Sequence, residues 1–229
     1  MTLRTYGQIC GLARALELVG ERWSMLVVRD LLLGPKRFTD LMRGLPKMPA
    51  SILSSRLNEM EAAGVVRRRV LPQLDAAVVY ELTEYGAELD QVVLQLGLWG
   101  ARSLKPGPQD LFTIDSAVLS MYATFRAEFA VGVHVNFELH YDDDDLVVHA
   151  LVDDGALKAA EGPHTDADIV IRPQEASVMY GMLTGQISAA EALRAGSVKI
   201  EGSPEHLDLF TRLFHVGPAP VPEQGLAVH

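Results

Sequence analysis

Two prolines and a glycine, Pro106-Gly107-Pro108, follow a helical pattern where the charge balance of the chain changes sign. Such a break ends regular structure and separates two bodies of different surface chemistry. Residues 1–105 hold 14 Lys and Arg against 11 Asp and Glu, and residues 106–229 hold 6 against 19. The net charge of -10 therefore conceals a cationic segment, Arg22 to Arg69, with 10 basic against 4 acidic side chains. The two halves are expected to meet different partners. With 229 residues, 48% of them hydrophobic, each half can bury a core. The pattern predicts a first domain over 1–105, a linker over 106–114, a second domain over 115–216 and a poorly ordered Pro-rich tail over 217–229.

No stretch approaches the roughly 20 apolar residues that span a bilayer, and Met1-Thr2-Leu3-Arg4-Thr5 lacks the apolar run of a signal peptide, so a cytoplasmic protein with no membrane partner is expected. The single cysteine, Cys10, excludes an internal disulfide framework. It has no cationic neighbour before Arg14 to favour its thiolate, and a buried, inert thiol is expected.

In the first half, Ala13–Leu18 and Trp23–Leu33 read as helices, the second with Trp23, Leu26, Val27 and Leu31 on one face. Phe38–Met42 reads as a short third helix. Pro49–Ala63 reads as a fourth, with Ile52, Leu53, Leu57 and Met60 on one stripe, Ser51, Ser54, Ser55 and Asn58 on the other, and Gly64 as its stop. Val65–Val70 and Ala77–Leu82 read as strands around a turn at residues 71–75, and Thr83 opens one last helix through Trp99. A turn between two short helices followed by a basic hairpin is a geometry that lays one helix in the major groove of double-stranded DNA. The small polar face of the fourth helix approaches base edges without long side chains holding it away, with Arg56 as its anchor. Arg67, Arg68 and Arg69 alternate along a strand, so at most two face DNA together, supplying affinity more than specificity. A solvated helix face beside a basic edge strand that discourages sheet pairing has the same pattern.

The spacing of Cys10, Trp23, Arg29-Asp30-Leu31, Gly34, Arg37-Phe38, Leu41, Leu45-Pro46, Leu53, Arg56-Leu57, Glu61, Gly64-Val65-Val66, Tyr80-Glu81-Leu82-Thr83, Gly86, Leu89 and Trp99-Gly100 resembles the HxlR-type winged-helix transcriptional regulators. The resemblance implies a homodimeric DNA-binding regulator joined through its N-terminal and last helices. On those terms Leu89, Val92, Val93, Leu96 and Trp99 suit a partner subunit, though packing on their own domain explains the same pattern, and Arg37 joins the DNA-facing set. Two departures stand out. Gly11 replaces the proline that commonly follows the family's cysteine. Pro49 takes the place of the Ser or Thr that commonly starts the reading helix, which keeps the geometry and loses a cap.

In the second half, Val133–Tyr141 alternates, with Val133, Val135, Phe137, Leu139 and Tyr141 inward and His134, Asn136, Glu138 and His140 on the wet face. Asp142–Asp145 reads as a solvated turn into a strand at Leu146–Val152; Ile169–Ile171 and Val198–Ile200 are further strands. Helices are expected at Asp115–Phe129, Glu175–Leu183, Ala189–Ala195 and Pro204–Phe214, giving an α+β domain. All seven histidines lie here, yet none has metal-ligand spacing, and no nucleophile or acid-base pair presents itself, so neither metal, cofactor nor catalysis is expected. Ala167-Asp168-Ile169-Val170-Ile171, Gly181-Met182-Leu183-Thr184-Gly185, Ala189-Ala190, Gly196 to Gly202 and Leu209 to Phe214 resemble the sterol carrier protein 2-like (SCP2-like) domain. That resemblance implies an apolar tunnel for a lipid, sterol or acyl chain. Met121, Tyr122, Phe125, Phe129, Met179, Met182, Leu183, Phe210 and Phe214 offer the walls, and would equally form an ordinary core. The reading is a DNA-binding regulator with an apolar effector; the alternative is a lipid carrier whose winged helix serves protein contact.

Overall fold

Short helices ended by glycine or a turn build the first half: α1 (Gly11–Val19), α2 (Ser24–Leu32), α3 (Phe38–Gly44) and α4 (Ala50–Ala62). The structure is a computed structural model that describes residues 5–71, 77–105, 107, 110–141 and 146–218. The chain divides into two compact units, Met1–Leu94 and Gln95–His229.

In the first unit, α2 buries Ser24, Val27, Val28, Leu31 and Asp30. The expected face is corrected at two positions. Leu26 points outward, and Trp23 precedes the helix in a left-handed conformation, φ 80°. The stripe turns because Asp30 is drawn inside to meet the Arg29 guanidinium, whose Nε lies 2.7 Å from its Oδ1; a buried carboxylate without such a partner is strongly disfavoured. Helix α4 buries Leu53, Leu57 and Met60, while Ile52 is exposed. It ends where Gly64 takes φ 73°, with Val65 N–H donating to Met60 O and Gly64 N–H to Glu61 O, the paired bonds of a Schellman stop.

Strand β1 (Lys36–Arg37) and the hairpin of β2 (Val66–Leu71) and β3 (Ala77–Leu82) form a three-stranded sheet in the order β1-β3-β2. The turn expected at residues 71–75 lies, beyond Leu71, outside the described residues. The expected last helix is two: α5 (Glu84–Ala87) and α6 (Asp90–Ala101). Thr83 caps α5 as anticipated, its Oγ1 accepting from Gly86 N–H and donating to Gly64 O at 2.6 Å. A Cβ on Gly86 would stand 2.1 Å from Val65 O. This tight seam fixes α5 against the end of α4, and the chain re-aims at Glu88-Leu89 before α6. Cys10, expected to be buried, is exposed at the N-cap of α1, because no other element covers residues 6–12.

The division between units falls inside α6, ahead of the Pro-Gly-Pro segment. The last turn of α6 is held in the second unit by Tyr180, whose hydroxyl donates to Ala101 O at 2.7 Å, and beyond it Arg102 Nε donates to Pro218 O at 3.0 Å. The second unit comprises α7 (Ile114–Thr124), β4 (His134–Tyr141), β5 (Leu146–Asp153), β6 (Ala156–Glu161), β7 (Ile169–Pro173), α8 (Ala176–Leu183), α9 (Ala189–Arg194), β8 (Val198–Gly202) and α10 (Pro204–Leu213). Its sheet runs β6-β5-β4-β7-β8, antiparallel except for the central β4–β7 pair. Val135, Phe137 and Leu139 face Val152, Ala150 and Val148 across the first pair and Ile169 and Ile171 across the second, so one face is wholly apolar.

Strand β6 was not expected, since Ala-Leu-Lys-Ala-Ala-Glu has helix-forming composition. The missed signal is Asp154-Gly155, both at positive φ, a two-residue turn that forces the following residues back along β5. The helix expected to reach Phe129 stops at Thr124. There the chain turns extended: Arg126 N–H donates to Leu213 O and His215 N–H to Thr124 O, with a single 3-10 turn at Ala127–Phe129 beyond. The capping box at Ser188 and Glu191 and the Ser203-Pro204 start of α10 form as read. The Asp142–Asp145 turn and residues 219–229 lie outside the described residues.

Glu138 departs from the wet face assigned to it. The β6–β7 connection crosses that face, and the carboxylate is buried, accepting from His164 N–H at 2.6 Å and meeting His140 Nε2 at 2.5 Å. Burial works to raise its pKa, but these two bonds and nearby Arg172 outweigh it and hold the carboxyl below the usual range. Burial alone pushes the Tyr141 phenol up.

Two outcomes follow. Gly86→Ala forces Cβ into Val65 O and lowers the stability of the first unit by about 1–3 kcal/mol, the usual cost of overpacking; an unchanged calorimetric transition would show that the seam gives way freely. A carboxyl depressed in the folded state stabilises above its unfolded pKa and loses that contribution as pH falls through the folded value. Glu138→Gln therefore lowers Tm at pH 7, and the gap to the parent protein closes as pH drops below 4.5, the ordinary carboxyl value. A gap independent of pH over pH 7 to 3 would assign the loss to shape rather than charge.

Candidate nucleic-acid interface

The reading surface starts from the turn between α3 and α4. Arg37 N–H donates to Asp40 Oδ2 at 3.0 Å, starting α3. Leu45 and Met48, 3% and 2% exposed, pin the turn to the core. Pro49 then takes the N-cap of α4 with no side-chain cap; its carbonyl accepts from both Ile52 and Leu53 N–H. The cap loss read from the sequence is present, one residue ahead of the helix rather than in its first turn.

With Leu53, Leu57 and Met60 inward, α4 turns Ser51, Ser54 and Asn58 to solvent. Ser55 is half-buried and spends its hydroxyl on Glu59 Oε1 at 3.0 Å. Arg56 is corrected from an outward anchor to an inward one. Its side chain is 16% exposed, its guanidinium pairs with Glu59, and Glu21 Oε2 lies 3.9 Å away. The i, i+3 spacing of Arg56 and Glu59 makes that pairing the nearest alternative to DNA. The exposed face is therefore shorter and less charged than the sequence suggested.

In the wing, Arg67 and Arg69 share one face of β2 and converge on Glu81 of β3, at 2.7 Å and 3.1 Å. Arg68, opposite Tyr80 in the register, lies on the other face. Both faces of the strand are solvent-accessible at these positions, so all three arginines are exposed. Two cations on one carboxylate leave that face with a surplus of one positive charge, and the pairing orders the guanidiniums. The arginines are at least half exposed while Glu81 itself is buried, so a phosphate contact by one of them is easiest where the other stays on the carboxylate. Glu81 was not singled out as functional by sequence; parity across the hairpin would have placed it opposite Arg67 had the register been known.

The apolar set of the second unit is partly brought together. Phe210 and Phe214 are fully buried against Phe137, with ring centroids 5.1 and 6.0 Å away, and Phe125 lies 5.6 Å from Phe214. Met121, Met179, Met182 and Leu183 are buried. Phe129 stands apart, half-exposed, with the Arg126 guanidinium 3.6 Å over its ring. The Tyr122 hydroxyl both donates to and accepts from the Ala159 backbone, closing the β6 edge. Among the described residues no group of three or more His, Cys, Asp or Glu is placed to hold a metal ion, and no helix is long and apolar enough to cross a membrane.

The family model for HxlR-like helix-turn-helix proteins matches residues 18–108. The HTH-type transcriptional regulator YodB of Bacillus subtilis is 37% identical over 93 residues, covering 41% of this chain and 83% of YodB. YtcD, an uncharacterized HTH-type transcriptional regulator of the same organism, is 35% identical over 99 residues, 43% of this chain and 79% of its own. Among solved structures, the oxidized form of the redox regulator HypR matches at 33% identity and a TM-score of 0.40, covering 42% of this chain and all of that one. The second unit lies almost wholly beyond the family match. By its winged helix-turn-helix unit, and by its identity to YodB over most of that protein's length, this chain belongs to the HxlR-like family of DNA-binding transcriptional regulators.

Proposed function

We propose that the protein is a homodimeric, cytoplasmic transcriptional regulator that reads a two-fold operator with α4 and grips the flanking backbone with its wing. The observation that carries this reading is the small polar face of α4, with Ser51, Ser54 and Asn58 exposed over the buried Leu53, Leu57 and Met60. Arg37 and the three wing arginines supply the phosphate contacts, and Ser55, Arg56 and Pro49 set the pose of the helix. The dimer is supported by Val92, Leu96 and Trp99, all at least half exposed at i, i+4, i+7 spacing on α6, and by exposed Ile9, Leu12 and Leu16 at α1. Apolar side chains of this size on one stripe suit a partner helix.

The second unit is assigned to an SCP2-like body that either senses an apolar small molecule or strengthens the dimer. Its apolar sheet face, covered by methionine-bearing and phenylalanine-bearing helices, supports that assignment. A ligand there acts only through a difference in affinity between two spacings of the reading helices. The carrier alternative is not favoured, because it gives the α4 surface and the wing arginines no work.

Recovery of sheared genomic DNA on the purified protein at physiological salt is expected to enrich an inverted repeat with half-sites about one helical turn apart. Ser54→Ala with Asn58→Ala relaxes base preference, whereas replacing Arg67, Arg68 and Arg69 by Ala weakens binding to all sequences and lowers the salt slope by about 0.9 for every DNA phosphate that an arginine had neutralised. A carrier would show neither change. Leu96→Glu is expected to yield monomers in sedimentation equilibrium; a dimer of unaltered strength would place the interface elsewhere.

A further inference from the structure

The face of the wing that carries Arg67 and Arg69 has a buried acid between them. Glu81 is 8% exposed, whereas the side chains of Arg67 and Arg69 are 59% and 50% exposed. Arg67 Nε donates to Glu81 Oε1 at 2.7 Å and Arg69 Nη2 lies 3.1 Å from Oε2, so each carboxylate oxygen holds one cation. The register produces this. Arg67 stands opposite Glu81 and Arg69 opposite Val79. Residues two apart on a strand share a face about 6.6 Å from each other, close enough for two long side chains to meet on one acid. Val79, 3% exposed, supplies apolar ground beside the carboxylate.

The two arginines are alike in partner and in exposure, yet the acid needs only one of them. A carboxylate withdrawn from water is strongly disfavoured once it loses its last cation. A single guanidinium prevents that, because its planar fork carries donors for both oxygens. Either arginine can therefore turn outward while the other closes on Glu81, and the departure of both is blocked. Arg68 is outside this constraint, since it lies on the opposite face, across from Tyr80.

We propose that Glu81 is a positioning residue that holds this face of the wing to one arginine–phosphate contact at a time, and so sets the strength of sequence-independent DNA binding. Phosphate contacts carry no sequence information, so every additional one tightens the grip on all DNA alike. Withholding one arginine keeps that grip below what the cationic segment would otherwise give, and leaves discrimination to the polar face of α4. The withheld arginine keeps the carboxylate paired while its neighbour is engaged, so the wing stays folded on DNA. The proposal rests on the reading of α4 and the wing given above.

The test is the salt dependence of affinity for a labelled random-sequence DNA duplex, read by fluorescence anisotropy on the full chain. Arg67→Ala and Arg69→Ala are each expected to lower the slope by about 0.9 per wing, because the surviving arginine stays on Glu81. The two together lower it no further. Glu81→Gln releases both arginines and is expected to raise the slope by about 0.9 per wing. In that background the two arginine changes become additive, and this triple variant, which has no bare buried carboxylate, replaces the double one should the latter not fold. Glu61→Gln, which removes an exposed acid of α4 away from the wing, is expected to leave the slope unchanged. Additive losses with Glu81 present, single changes without loss, or a slope unmoved by Glu81→Gln overturns the proposal; a lowered Tm with no change in slope gives Glu81 a structural role alone. An equal rise in Glu61→Gln assigns the effect to net charge and overturns it too. Unsubstituted protein that holds no DNA even at low salt overturns the reading of α4 and the wing as a whole, whereas DNA held with additive losses overturns only the role of Glu81.

Discussion

The close approach of Gly86 to Val65 O is the constraint on which the DNA-facing half depends. Helix α4 ends at Gly64, the wing begins at Val66, and the wing returns at Thr83; one hydroxyl ties the return to the carbonyl at the end of α4. With that seam closed, the reading helix and the wing move as one body. A recognition surface needs this, because base contacts tolerate little misplacement, whereas phosphate contacts from long arginines tolerate more. The family resemblance at Gly64-Val65, Thr83 and Gly86 thus has a steric cause: no side chain fits at the last of these positions.

Charge is managed around that frame rather than simply displayed. The sequence offers a cationic segment, but the structure ties Arg29 to Asp30, Arg56 to Glu59, and Arg67 with Arg69 to Glu81. Each pairing lowers self-repulsion in the free protein and holds a guanidinium in a defined place. The pairs differ in what they can release. Asp30 is fully buried and cannot exchange its partner, whereas the arginines on Glu81 are at least half exposed on the wing. Because Glu81 is buried but holds two arginines, one of them can turn to a phosphate while the other keeps the carboxylate paired.

The second unit solves another problem, the coverage of a sheet with two open edges and two faces. Helices and the aromatic cluster of Phe137, Phe210 and Phe214 cover one face. Tyr122 closes the β6 edge through the Ala159 backbone. On the opposite face the β6–β7 connection is held down by Glu138 and by Asn136, whose N–H donates to Asp168 Oδ2 at 2.8 Å. A carboxylate on a central strand is costly unless several donors meet it, and Glu138 has them only because that connection passes overhead.

Much of this was legible in the residues alone. Periodicity located most of the helices and all but two strands, since burial of an apolar stripe is a local requirement written into every turn. Thr83, the Ser188 and Glu191 box and the Ser203-Pro204 start acted as read because a cap involves only neighbours a few residues apart. The small polar face of α4 was legible for the same reason. Tertiary contact decided the rest. It turned Glu138 inward, where the crossing β6–β7 connection met it, and it set Glu21 of a distant segment 3.9 Å from Arg56, which also pairs with Glu59 one turn along its own helix. It ended α7 at Thr124, because residues 213–215 offered the backbone better hydrogen bonds than another helical turn. It made a strand of Ala156–Glu161 against its composition, and it brought Arg67 and Arg69 onto the one carboxylate of Glu81. The sequence by itself determined which segments could be helix or strand and which faces had to be buried, because those depend on near neighbours; only the tertiary structure decided which charges are sheltered and which surfaces stand together, because those depend on residues that meet in space alone.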